Sequence, residues 1–104
     1  MIQAIKKLLG IGPATDYRGL KKAGAIVLDV RTKAEYNSGH IDNSINIPVG
    51  DLGNNLSRFK DKAHPIICCC ASGMRSGQAK RLLQSNGYTA VYNGGSWRSL
   101  QNKL

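Results

Sequence analysis

The stretch PIICCCASGMRSGQAKRLL, residues 65–83, ends a hydrophobic run in three consecutive cysteines just before a helical pattern begins. A thiolate is a strong nucleophile, and its reactivity depends on how far its surroundings lower the thiol pKa. Side chains alternate along a strand, so Ile66 and Cys68 face one way and Ile67 and Cys69 the other. If helices cover both faces, Cys68 and Cys69 are small buried hydrophobes. Cys70 is then read as the first residue past the strand, opening the loop Ala71, Ser72, Gly73, Met74, Arg75 and Ser76. Gly73 permits a turn that other residues resist, and Ala71 and Ser72 keep the bowl open. The helix N-terminus and the loop aim N–H groups at the sulfur, and Arg75 adds positive charge. Such surroundings commonly lower a thiol from ~8.5 to roughly 3.5–7.5. Cys70 is the candidate nucleophile.

The spacing also bears on what the thiol attacks. A cysteine-dependent phosphatase needs an arginine six places after the cysteine to grip a phosphoryl group; here that place is Ser76, and Arg75 falls one position early. The loop is a residue too short for phosphate and better suits a single extra sulfur atom, with any bidentate clamp misplaced.

The elements that must hold this loop are legible from periodicity. AIVLD (25–29) and PIICC (65–69) are continuous apolar runs, as strands buried on both faces require. SINIP (44–48) and TAVYN (89–93) are shorter strands. Between them lie a helix over 16–22 capped by Thr15, and a helix opened by a Thr32/Glu35 capping box and stopping near Gly39. A helix over 51–59 follows, then one over 76–86 stopped by Gly87, and a last one through Trp97 and Leu100. Ile2, Ile5, Leu8 and Leu9 predict a short amphipathic helix ending at Gly10, which packs on the domain or, as the alternative, lies on a membrane surface. Strands alternating with helices predict an α/β/α three-layer domain around a parallel sheet of four to five strands. In such sheets the working site lies beyond the carboxyl ends of the strands, where the cysteines end.

One domain fits 104 residues. With 41% hydrophobic and 20% charged residues the chain reads as an ordinary globular protein, and no apolar run is long enough to span a bilayer. Adjacent cysteines can neither form the spaced pairs of a disulfide scaffold nor converge on zinc. No metal site is expected from them. Free thiols and an N-terminus without a signal-peptide pattern predict a cytoplasmic protein. Fifteen Lys and Arg against six Asp and Glu give a formal +9, which favours anionic partners. No aromatic–basic motif specifies a nucleic acid.

Three segments in order carry a resemblance to the rhodanese family: LDVRTKAEYNSGHIDNSINIP (28–48), CASGMRS (70–76) and YTAVYNGGSWRSL (88–100). It covers roughly residues 15–100, with residues 1–14 as a helix and lead-in and 15–104 as the rhodanese-like domain. Two departures stand out. The edge strand expected before the Asp16 helix is reduced to Gly10–Pro13, and Trp97 follows the glycine pair sooner than in the family. The resemblance implies a sulfurtransferase in which Cys70 takes sulfane sulfur from a small anionic donor such as thiosulfate. It holds that sulfur as a persulfide among the loop N–H groups of Ala71 to Ser76 and passes it to cyanide or a thiol, without cofactor. Arg75 attracts the incoming anion. The alternative is a sulfur-relay module loaded by an acidic protein partner, with thiosulfate a poor donor. The chain is expected to act as a monomer.

Other polar residues read as structural: Arg31 pairing with Glu35 at helical spacing, His40 as a fold-anchoring hydrogen bond, His64 as exposed, and Trp97 and Tyr92 as core or rim.

Overall fold

The computed structural model of the protein describes residues 14–104. The elements are α1 (Tyr17–Lys22), β1 (Ile26–Asp29), α2 (Lys33–Asn37), β2 (Ile45–Asn46), α3 (Val49–Leu52), a 3-10 turn (Leu56–Arg58), β3 (Ile66–Cys70), α4 (Met74–Ser85), β4 (Val91–Ser96) and α5 (Trp97–Gln101). The four strands form one sheet in the order β2-β1-β3-β4, every pair parallel. The two apolar runs are the central strands, as burial on both faces requires.

Alternation along these strands builds two cores. Leu28, Ile66, Cys68 and Cys70 face Leu52, Ala79, Leu83 and Tyr88 on one side. Val27, Ile67 and Cys69 face Ile41 and Leu100 on the other, with Tyr17, Leu20 and Trp97 packed alongside. Helices therefore cover both faces, giving the expected three layers. Leu83, with no exposed surface, contributes about 1.5–3 kcal/mol by its burial and pins α4 against the face that carries Cys70.

Local chemistry explains most boundaries and corrects several expectations. Thr32 and Glu35 close both bonds of their capping box at the start of α2. At α1 the cap is Asp16, whose carboxylate accepts from the Gly19 N–H, and not Thr15. The helix expected over 51–59 is broken into α3 and the 3-10 turn, because Gly53, Asn54 and Asn55 favour turn over helix. The strand in SINIP pairs only at Ile45 and Asn46; Pro48 has no N–H to continue it. The strand expected over 89–93 lies at 91–96 and contains the glycine pair. Asn93 pairs with Cys68 and Gly95 with Cys69, so Gly94 is the extra residue of a bulge. A Cβ there would meet the Leu100 side chain at 2.9 Å and the Cys68 carbonyl at 3.0 Å, so the bulge can be built only on glycine. The expected N-terminal helix over 2–10 and the missing edge strand at 10–13 lie outside the described residues. Among the described residues no helix is long and apolar enough to cross a membrane.

Candidate active site around Cys70

Cys70 is the last residue of β3 and not the first beyond it, paired with Ser96 of β4. It is also fully buried, where an open bowl was expected around it. The chain leaves the strand through Ala71, Ser72 and Gly73 and enters α4 at Met74. Gly73 adopts φ +102°, a conformation costly to any residue with a Cβ. That turn points its N–H back at the Cys70 Sγ, 3.0 Å away.

The sulfur occupies the place of a helix cap. Gly73, at the N-cap of α4, has no side chain to satisfy the first-turn donors. The Cys70 sulfur accepts instead from the Gly73 N–H, and the Ser76 hydroxyl lies 3.4 Å from it. Burial by itself would push the thiol up; the Ser76 hydroxyl, once its hydrogen turns to the anion, and the N–H groups of Ser76, Gly73 and Ser72 outweigh it and leave Cys70 below the ordinary thiol value. Cys68 and Cys69 have no such donors, and burial pushes both up to about 12. Three adjacent thiols of identical chemistry are thus separated by environment into two inert ones and one acidic one.

The loop cation is not free. Arg75 places its Nη1 and Nη2 at 2.7 and 3.0 Å from the two carboxylate oxygens of Glu35, on α2. That bidentate contact, with the Thr32 N–H, holds the Glu35 carboxyl down at about 2. Two expectations change as a result. Arg75, expected to offer its charge to an incoming anion, is paired with a carboxylate, and that carboxylate is not available to Arg31. Arg31 pairs with Asp29 instead, at 2.7 Å, and both side chains are buried. Its guanidinium also donates to the carbonyls of Glu35 and Gly39, tying the end of β1 to α2, and it stacks 4.7 Å from the Trp97 ring. Its role is structural, as expected, but with a different partner.

His40 is where the sequence reading placed it: Nδ1 donates to the Tyr36 carbonyl at 2.7 Å and the ring stacks on Tyr36 at 3.8 Å. His64 departs from expectation, being half-buried with Nε2 donating to the Gly24 carbonyl at 2.7 Å.

Of the loop residues, Ala71, Ser72 and Met74 are exposed, Gly73 and Arg75 half-buried and Ser76 fully buried. Sequence reading missed Asn93, which touches three parts of the site: the Ser76 hydroxyl, the Gly73 carbonyl and the Gly95 N–H. Its only signal was a polar residue directly before the glycine pair. A pocket of about 590 Å³ lies against the outer face of the loop, reaching Gln78 and Arg81 on α4 and Asn93 on β4. No group of three or more His, Cys, Asp or Glu side chains that could hold a metal occurs among the described residues. A buried acidic thiol ringed by N–H donors can attack an electrophilic sulfur and then stabilise the sulfur anion that results.

A family model described as "Rhodanese-like domain" matches residues 13–103. The chain is 34% identical over 74 residues to the thiosulfate sulfurtransferase PspE of Escherichia coli, covering 70% of this chain and 71% of that protein. It is 35% identical over 68 residues to a tRNA sulfurtransferase of Thermoplasma acidophilum, covering 65% of this chain but spanning only 13% of that longer protein. Among solved structures, a human single-domain sulfurtransferase, TSTD1, superposes with a TM-score of 0.70 at 30% identity, covering 84% of this chain and 90% of that one. A rhodanese with anions from Escherichia coli superposes with a TM-score of 0.69 at 32% identity, covering 73% and 91%.

Proposed function

We propose that this chain, which belongs to the rhodanese-like family of sulfurtransferases, carries sulfane sulfur as a persulfide on Cys70. In the first half-reaction the Cys70 thiolate attacks the outer sulfur of thiosulfate. The new S–S bond forms at Cys70, the S–S bond of thiosulfate breaks, and its electron pair leaves on sulfite. The persulfide keeps the negative charge, held by the N–H groups that held the thiolate. In the second half-reaction cyanide or a thiolate attacks the terminal sulfur and the electron pair returns to Cys70. Two separate steps through a covalent intermediate predict ping-pong kinetics. The cycle is complete without a metal or an organic cofactor.

The observation that carries this reading is the acidity contrast along one strand. Donors converge on Cys70 and hold its thiol down, while its two neighbours are pushed up to about 12. Phosphoryl transfer is disfavoured by the loop, in which Arg75 falls one residue early and is turned to Glu35. Free thiols fit a reducing cytoplasm, and the chain is taken to act there as a monomer.

A second reading is favoured by the burial of Cys70 and the pairing of Arg75 with a carboxylate. A protein donor that opens the loop would load such a site better than free thiosulfate, and the +9 charge suits an acidic partner.

Intact mass after thiosulfate treatment, followed by a cyanide chase, tests both. The native chain gains one sulfur atom and loses it to cyanide; Cys70→Ala gains none. A gain that survives in Cys70→Ala overturns the assignment of the residue. No gain on the native chain overturns thiosulfate as donor and leaves the protein-loaded reading.

A further inference from the structure

The orientation of the Asn93 amide follows from its partners. The Gly95 N–H, 3.0 Å away, can only donate, so the atom facing it is Oδ1. The Gly73 carbonyl, 3.2 Å away, can only accept, so the atom facing it is Nδ2. The Ser76 Oγ lies 2.6 Å from Oδ1, which has no hydrogen to give. Ser76 must therefore be the donor in that bond, and its one hydrogen is spent there.

This has a consequence for Cys70. Towards the sulfur, at 3.4 Å, Ser76 then has only lone pairs to offer, so the contact needs the S–H to donate. The chain S–H to Oγ–H to Oδ1 fits the neutral thiol. When Cys70 ionises, its proton leaves for solvent and the sulfur can only accept. The Ser76 hydrogen must then swing from the Asn93 oxygen to the sulfur. The two acceptors compete for one hydrogen.

We propose that Asn93 is a positioning residue that sets the ionisation of Cys70 by competing with the sulfur for the single hydroxyl hydrogen of Ser76. It does not touch Cys70; it acts through Ser76 and, by its other end, holds the Gly73 carbonyl of the same loop. The bulge at Gly94 makes this possible, since it sets Asn93 opposite Cys68 while leaving Gly95 free to donate into the same amide. The charged group that bears on Cys70 is Arg75 from α4, whose charge is matched by Glu35 of α2; Lys80 of the same helix acts on Cys68, and the Asp29–Arg31 pair at the end of β1 acts on Cys69 across the sheet. On β3 itself Cys68 and Cys69 stay neutral below about pH 12. β4 contributes no charged side chain over 91–96, so Asn93 supplies its polar contact to the site.

The inference rests on Cys70 being the reactive thiol. It is tested without any sulfur donor, so it can fail while persulfide formation succeeds. The experiment is a pH titration of Cys70, followed by thiolate absorbance and by the rate of iodoacetamide alkylation mapped to the Cys70 peptide. The chains are the native protein, Asn93→Ala, Asn93→Asp, Ser76→Ala and the double variant Ser76→Ala/Asn93→Ala. Asn93→Ala releases the Ser76 hydrogen to the sulfur and lowers the Cys70 pKa by about 0.5–1, the size of one neutral hydrogen bond. Asn93→Asp offers a stronger, charged acceptor and raises it. In the Ser76→Ala background, Asn93→Ala produces no fall. The added charge of Asn93→Asp would raise the pKa by repulsion alone, so the deciding result is the fall in Asn93→Ala that disappears without Ser76, which general loosening of the loop cannot produce. An unchanged or raised pKa in Asn93→Ala, or the same fall with and without Ser76, overturns the proposal and reduces Asn93 to a loop clamp.

Discussion

Gly73→Ala isolates what the loop backbone does for the sulfur. Gly73 sits at φ +102°, and a Cβ there would meet only the Gly95 Cα at 3.5 Å, an ordinary contact. The cost is therefore conformational rather than steric, about 1–3 kcal/mol for a side chain held in that region. The loop is exposed on its outer face and has room to relax towards negative φ. Relaxation turns the Gly73 N–H away from the Cys70 Sγ, 3.0 Å off. A hydrogen bond to a charged group is worth about 1.5–3 kcal/mol, and one pKa unit is 1.36 kcal/mol, so the Cys70 pKa should rise by about 1–2. Gly24→Ala is the matched control: it has nearly the same φ, +100°, and nothing within 4 Å of its Cβ, but it lies after α1, far from the thiol. Thermal melts and Cys70 titrations on both variants separate strain from acidity. Each should lose about 4–8 °C for every kcal/mol of strain; only Gly73→Ala should shift the titration and slow persulfide formation at neutral pH. A Gly73→Ala protein with the stability loss of the control and an unmoved thiol titration would mean that the Gly73 N–H does not hold the sulfur anion.

Glu35→Gln removes the carboxylate that occupies Arg75 and should lower the KM for thiosulfate at low ionic strength, an effect that fades with added salt; an unchanged KM would show that Arg75 takes no part in attracting the donor. Because the folded Glu35 carboxyl is held down at about 2, any stability it lends is present above its ordinary value near 4.5 and lost as pH falls towards 2. The native and Glu35→Gln melting curves should therefore converge across that acid window. Asp29→Ala leaves the Arg31 guanidinium buried without its carboxylate and should cost about 3–5 kcal/mol in denaturant unfolding. Removing both side chains should cost less than the sum of the single losses, and strict additivity would contradict a direct pair.

The sequence by itself determined whatever depends on residues near one another in the chain. Two continuous apolar runs can be satisfied only by strands covered on both faces, so AIVLD and PIICC placed a parallel sheet between helices. The Thr32–Glu35 box is closed within four residues, and alternation along one strand was enough to separate Cys69 from Cys68 and Cys70. A short loop rich in small residues between strand and helix marked Cys70 as the thiol that backbone donors could reach.

Tertiary structure decided the contacts whose partners are far apart in sequence. Arg75 and Glu35 are 40 positions apart and meet because each lies near the start of a helix that follows one of the adjacent central strands β1 and β3. Ser76 and Asn93 are 17 apart and meet because of the strand register. One pair close in sequence also had to await the structure: the Arg31–Glu35 spacing suited a helix-face pair, but Arg31 stands before α2 begins, and the buried Asp29 carboxylate two residues away at the end of β1 claims the guanidinium. The bulge at Gly94, where a Cβ would strike Leu100 and the Cys68 carbonyl, shifts the register so that Ser96 lies opposite Cys70. Periodicity reports which face a side chain occupies. Which group meets it on that face depends on sheet register and helix docking, and both are set by packing across the whole domain.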